Sequence, residues 1–167
     1  MDMLQVGQPA PAFSLPDASM EMMSLSSYRG KKNVVLYFYP RDGTPGCTLQ
    51  AIAFSDRESE FSRLDTVIFG VSRDDVLSHA AFRDEHGLSV QLLADTEEEV
   101  CRMYDVLDEK AGNAHANGNG APRRCVRRST FIIDKKGTIR HILREVNPRE
   151  HADEVLKVVK QLGGHAN

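Results

Sequence analysis

One octet, Pro40-Arg41-Asp42-Gly43-Thr44-Pro45-Gly46-Cys47, limits how the chain can be built, because it sits where an apolar run must give way to a helix. Upstream, Asn33-Val34-Val35-Leu36-Tyr37-Phe38-Tyr39 is short, β-branched and aromatic, the pattern of a buried strand, and the Pro/Gly-rich octet ends it. Downstream, residues 48–64 are expected to be helical, with Leu49, Ala53, Phe61 and Leu64 facing inward. Cys47 then lies in the first turn of a helix. Unpaired backbone N–H groups and the positive end of the helix dipole stabilise an anion there and favour the thiolate. Taken alone, a free cysteine is most simply a small buried apolar residue.

The rest of the chain reads as strands interleaved with helices. Residues 6–28 hold Pro9, Pro11 and Pro16 among isolated apolar residues, the pattern of an irregular arm with a short hairpin. Thr66-Val67-Ile68-Phe69-Gly70-Val71-Ser72 predicts a second buried strand, and Asp74-Asp75 a helix ending near Gly87. Val90-Gln91-Leu92-Leu93 predicts a short strand. Thr96-Glu97-Glu98-Glu99 has capping-box spacing and is expected to start a helix carrying Val100, Met103 and Tyr104, with the acidic run 95–99 a solvated helix start. Residues 108–124, small, polar and glycine-rich, predict an exposed mobile loop. Residues 127–134 predict a strand that turns at Asp134-Lys135-Lys136-Gly137 and pairs with Thr138-Ile139-Arg140-His141-Ile142-Leu143. Asn147 and Pro148 suit the start of a last helix, with Ala152, Val155, Leu156, Val159 and Leu162 inward. This order predicts one layered α/β domain over residues 1–167.

Composition excludes several functions. A net charge of −3 gives no reason to expect nucleic acid or an anionic membrane as partner, and the basic cluster Arg123-Arg124-Cys125-Val126-Arg127-Arg128 has no aromatic platform beside it. No apolar run is long enough to span a bilayer, and the N-terminus has no basic or apolar leader, so a cytoplasmic location is expected. Three cysteines without a Cys-x-x-Cys pair fit reactive thiols in a reducing compartment. The six histidines form no zinc-like grouping and are expected at the surface or in packing roles.

Pro40, Thr44 and Cys47 match the Pro-x-x-x-Thr-x-x-Cys signature of the peroxiredoxins. Gly46-Cys47-Thr48 with Gln50 resembles the peroxiredoxin Q branch, also called bacterioferritin comigratory protein. The resemblance runs from Val6-Gly7-Gln8-Pro9-Ala10-Pro11-Ala12-Phe13 through Arg128-Ser129-Thr130-Phe131-Ile132-Ile133-Asp134 to the last helix, nearly the whole chain. It implies a thioredoxin-like α/β fold with a central mixed sheet flanked by helices. It also implies a thiol peroxidase for hydrogen peroxide and organic hydroperoxides, with no metal, haem or flavin, recycled by thioredoxin or a similar dithiol, as a monomer or weak dimer. The alternatives are a redox sensor using Cys47 as a switch, or a thiol–disulfide oxidoreductase on the same fold; the second would want a Cys-x-x-Cys pair.

The chemistry needs an activated sulfur and donors aimed at the oxygen that leaves. Cys47 is the expected nucleophile, with helix N–H groups and the Thr44 hydroxyl as donors and the Pro40 ring as a shield against water. By resemblance the cation is Arg128; Arg127 would point to the opposite face of a strand. Gln50 matches a polar position of the branch and is expected either to orient site groups or to lie exposed. The resulting sulfenic acid needs a second thiol. Here the chain departs from the branch, since Ile52 and Arg83 stand where other members carry a resolving cysteine. Cys125, between the glycine-rich loop and Arg128, and Cys101, on an inward helical stripe, remain as candidates beside an external thiol.

Overall fold

The computed structural model describes residues 4–108, 125–144 and 147–164. The expected mobile loop at 108–124 lies, apart from its first residue, outside the described residues.

A five-stranded mixed sheet organises the molecule, in the order β5 (Gln91–Ala94), β4 (Thr66–Ser72), β3 (Asn33–Phe38), β8 (Ser129–Ile133), β9 (Ile139–Arg144). β3 is parallel to β4, and β4 to β5, so helical crossovers join them; β8 and β9 run antiparallel. β3 has sheet neighbours on both sides and layers on both faces, and all six of its residues are buried. Its side chains alternate between two cores: Val34, Leu36 and Phe38 enter one, Val35 and Tyr37 the other.

The first core is closed by the N-terminal hairpin of β1 (Ser14–Pro16) and β2 (Met22–Ser24), a 3-10 turn at Leu25–Tyr28 and the short helix α4 (Glu99–Met103). The second is closed by α1 (Pro45–Asp56), α2 (Glu58–Arg63), α3 (Val76–His86) and α5 (His151–Gly164). A small ladder of β6 (Leu107–Asp108) and β7 (Cys125–Val126) stands apart from the sheet. Among the described residues no helix is long and apolar enough to cross a membrane.

Four expectations need correction. The helix expected over residues 48–64 begins at Pro45 and breaks at Arg57, whose guanidinium bonds back to the Ala53 carbonyl and reaches Asp153 of α5 at 2.6 Å. The earlier start resets the phase: Cys47, Gln50, Ala51 and Phe54 face the core, and Leu49 is 41 % exposed. Phe61 is buried as expected, whereas Ala53 and Leu64 are only partly so.

The capping box at Thr96 does not form. Asp95, 1 % exposed rather than solvated, accepts from the Val100 and Cys101 N–H groups at 3.2 and 2.8 Å, while Glu98 takes a left-handed turn (φ 61°). Val100 and Tyr104 point inward; Met103 is exposed. The strand expected from 127 begins only at Ser129, because its partner β3 ends at Phe38, opposite Ser129, ahead of Pro40. Arg127 instead gives its N–H to the Val106 carbonyl. The last helix starts at His151, preceded by a turn in which the Asn147 side chain accepts from Arg149 N–H at 3.0 Å.

Candidate active site

The strand β3 delivers the chain to the site. Tyr39 still bonds to Val71 at 3.0 Å, then the 40–44 loop turns away and Thr44, in an extended conformation, opens α1. Pro45 takes the first helical position, where its missing N–H costs nothing. The first backbone bond of the helix runs from Thr48 N–H to the Thr44 carbonyl at 2.8 Å. Gly46 and Cys47 therefore keep N–H groups with no helical acceptor, at the end where the dipole favours negative charge. Cys47 is 1 % exposed and packs in the second core.

The Arg128 guanidinium lies over this first turn. It donates through Nη1 to Gln50 Oε1 at 3.1 Å, and its Nη2 is so close to Gly46 that a Cβ there would meet it at 2.8 Å. Gly46 is thus a glycine for proximity, not for an unusual φ. Gln50 is fully buried rather than exposed, and its Nε2 has no acceptor among the described residues. Thr44 Oγ1 donates to the Arg41 carbonyl at 3.1 Å and makes no cap bond. Pro40 is partly buried at the head of the loop. Pro40, Thr44, Cys47, Gln50 and Arg128 thus belong to one end of the sheet.

Tyr37 lies under the same helix, stacked on Phe54 at 4.7 Å and laid over Gly70, where a Cβ would come within 2.6 Å of its Cζ. Its hydroxyl is buried without a partner among the described residues. Burial first, then the charges of Cys47 and Asp42, hold the phenol far above its ordinary range, so it remains a proton donor.

The other two cysteines are placed differently. Cys101 is fully buried in the first core, on the far side of the sheet from Cys47, and burial followed by the Asp95 carboxylate pushes its thiol far up. The Cys125 backbone pairs with Asp108 in the small ladder next to Arg127 and Arg128; its side chain lies outside the described residues. Ile52 packs at the edge of the second core, and Arg83 bonds to Asp84 and Ser19.

Sequence reasoning missed two buried histidines and one carboxylate. Asp42 accepts from Tyr39 Oη at 2.6 Å and from Ser78 Oγ at 2.9 Å, and its Oδ2 lies 2.7 Å from His79 Nδ1. His151, fully buried, bonds through Nε2 to Thr130 Oγ1 and stands edge-on to Phe54. The available clue to His79 was its spacing, three residues before the inward Phe82 of α3. No comparable clue marked Asp42. Among the described residues no group of His, Cys, Asp or Glu could hold a metal ion.

Comparison with known proteins shows the family and the fold. Residues 6–142 match the model of the AhpC/TSA family. A putative peroxiredoxin bcp of Coxiella burnetii is 40 % identical over 153 residues, covering 92 % of this chain and 97 % of the relative. Peroxiredoxin Bcp of Bacillus subtilis is 38 % identical over 95 % of this chain and 97 % of its own. Among solved structures, a bacterioferritin comigratory protein of Xanthomonas campestris, described for its alkyl peroxide reduction activity, superposes with a TM-score of 0.81 at 33 % identity, over 90 % of this chain and 92 % of that one. A cysteine-to-serine mutant of Xylella fastidiosa PrxQ gives 0.84 at 29 % identity over the whole of both chains. With its thioredoxin-like sheet and a thiol at the head of α1, the chain belongs to the AhpC/TSA family and is a thiol-dependent peroxidase of the Bcp/peroxiredoxin Q kind.

Proposed function

We propose that Cys47 is the thiol that reduces hydrogen peroxide and small organic hydroperoxides. The observation that carries this reading is the meeting of a helix-start thiol, two free N–H groups and the Arg128 guanidinium in one enclosed site. The Cys47 thiolate attacks one peroxide oxygen; the S–O bond forms as the O–O bond breaks, and the departing oxygen leaves as water or an alcohol after taking a proton. Arg128 neutralises negative charge on the sulfur and then on the departing oxygen, with the free N–H groups and Thr44 as further donors. Gln50 holds Arg128 in place. Pro40 and the surrounding core exclude water, which strengthens these interactions and guards the sulfenic acid from further oxidation. The alkyl peroxide reduction described for the Xanthomonas campestris relative supports the wider substrate range.

For resolution, Cys125 or an external thiol is the better reading than Cys101, whose thiol is enclosed on the opposite face of the sheet. Thioredoxin or a similar dithiol supplies the electrons. The chain works as one domain and as a monomer or weak dimer in the cytoplasm.

The test is chemical. The reduced protein is treated with one equivalent of hydrogen peroxide, free thiols are blocked, and peptides are mapped by mass spectrometry. A Cys47–Cys125 disulfide or a lone Cys47 sulfenic acid supports the reading and separates its two routes. Peroxide consumption that survives Cys47→Ser refutes it. Repeated turnover with a dithiol present separates a peroxidase from a sensor, which would be oxidised once.

A further inference from the structure

We propose that His79 is a positioning residue for the peroxide site, acting through Asp42 to hold the 40–44 loop and the head of α1 in register. The proposal rests on the reading of Cys47 as the reacting thiol.

The hydrogen-bond inventory fixes where the protons are. His79 Nε2 lies 2.9 Å from the Leu93 carbonyl, which only accepts, so Nε2 carries a hydrogen. A neutral ring would then aim the Nδ1 lone pair at Asp42 Oδ2, 2.7 Å away. That contact is attractive only with a proton between the two atoms. Tyr39 Oη, kept protonated by burial, donates to Oδ1 at 2.6 Å, and Ser78 Oγ to Oδ2 at 2.9 Å. The 3.4 Å approach of Tyr39 Oη to His79 Nδ1 is proximity, since both protons go to Asp42. Three donors therefore converge on one carboxylate whose side chain is 5 % exposed, beside a histidine that is 0 % exposed.

These bonds tie the loop to the body of the fold at two levels. The Asp42 carboxylate is held by α3 through Ser78 and His79, and His79 is pinned to β5 through Leu93. The Asp42 backbone N–H donates to Asp74 at 2.8 Å, and Asp74 accepts from Ser72 at the end of β4 at 2.6 Å. Asp42 stands two residues before Thr44, the residue that opens α1, and the Thr44 hydroxyl bonds within the same loop. Where His79 holds Asp42, it sets where the Thr44 hydroxyl and the first-turn N–H groups point.

A purely structural role does not account for the choice of residue. His79 lies on the inward side of α3 with Phe82, where an aliphatic side chain would fill the core. A buried ion pair is often no more stabilising than well-packed apolar residues of the same volume. What the pair adds is a fixed orientation between the loop and two elements of the fold, α3 and β5.

The test measures two rates on the reduced full-length chain. Oxidation of Cys47 by hydrogen peroxide, followed by rapid quench and mass spectrometry, depends on aimed donors. Alkylation of Cys47 by iodoacetamide depends on the thiolate and its access alone. His79→Leu is expected to slow the first by about 10- to 100-fold, the scale of an ångström's misplacement, and the second by less than about threefold. His79→Asn, whose amide can donate from where Nδ1 stands, should recover most of the loss, and Asp42→Asn should reproduce it. A folded His79→Leu protein oxidised within about twofold of the parent rate would overturn the proposal, as would equal falls in both rates without recovery by asparagine. If His79→Leu does not fold, Asp42→Asn decides by the same ratio of rates. Peroxide consumption surviving Cys47→Ser would overturn the thiol assignment beneath the proposal, an outcome distinct from unchanged rates in the His79 and Asp42 variants.

Discussion

Adding one methyl group at Gly46 should separate stability from catalysis. In Gly46→Ala the new Cβ would sit 2.8 Å from Arg128 Nη2 and 3.3 Å from its Cζ, so the guanidinium must retreat by about half an ångström or more to reach ordinary contact. The obstacle is the far end of a flexible side chain, and position 46 has no left-handed backbone, so the fold accommodates the change. Alanine is the better helix former by up to about 1 kcal/mol, less in a first turn, and the urea midpoint should hold or rise slightly. The retreat draws the guanidinium away from the first turn of α1. A charge-assisted bond from Arg128 to the departing oxygen is worth about 1.5–3 kcal/mol; lost from the transition state, that slows peroxide reduction by about 10- to 100-fold. The assay is single-turnover oxidation of the reduced protein beside a urea titration. A stable Gly46→Ala protein that reacts within about twofold of the parent would refute the placing of Arg128 in the chemistry.

His151 makes stability depend on pH in a defined window. Burial lowers its imidazole from 6.5 to about 4, so between those values the unfolded chain takes up a proton that the folded chain refuses. Stability should fall by about 3 kcal/mol as the pH drops from 6.5 to 4, a loss seen in urea midpoints and reduced in His151→Gln. Gly70→Ala should cost about 1–3 kcal/mol by overpacking, because its Cβ would come within 2.6 Å of a Tyr37 ring already stacked on Phe54, and the thermal midpoint should report it. Asp95→Ala leaves two buried N–H groups at the start of α4 without their acceptor and should cost about 2 kcal/mol in urea unfolding. Its peroxide rate should stay unchanged, because α4 lies across the sheet from Cys47.

What could be read from the sequence was what depends on near neighbours. The β-branched run 33–39, the Pro/Gly break and the helix start at Cys47 are local, and the structure forms all three within a residue or two. The same is true of the turn at Asp134 and the inward stripe of α5. What escaped depends on partners far along the chain. Arg57 ends α1 while reaching Asp153, 96 residues away, and Asp42 meets His79 across 37 residues. Gln50, readable as an exposed glutamine, is buried because Cys47 sets the phase of the helix and Arg128 supplies a partner. Asp95 was misread because acidic residues at a helix start are usually solvated, whereas this one turns inward to serve as the cap.

The sheet between Cys47 and Cys101 gives the molecule a built-in reporter of its own opening. In the folded state the two sulfurs belong to separate cores divided by a wall of backbone, and neither can reach the other by a side-chain rotation. A disulfide between them can form only in molecules whose sheet has come apart, so its rate of appearance under a mild oxidant would follow the population of opened chains. On the proposed reading of Cys47, the same division keeps its sulfenic acid away from Cys101 and leaves it to Cys125 or an external thiol.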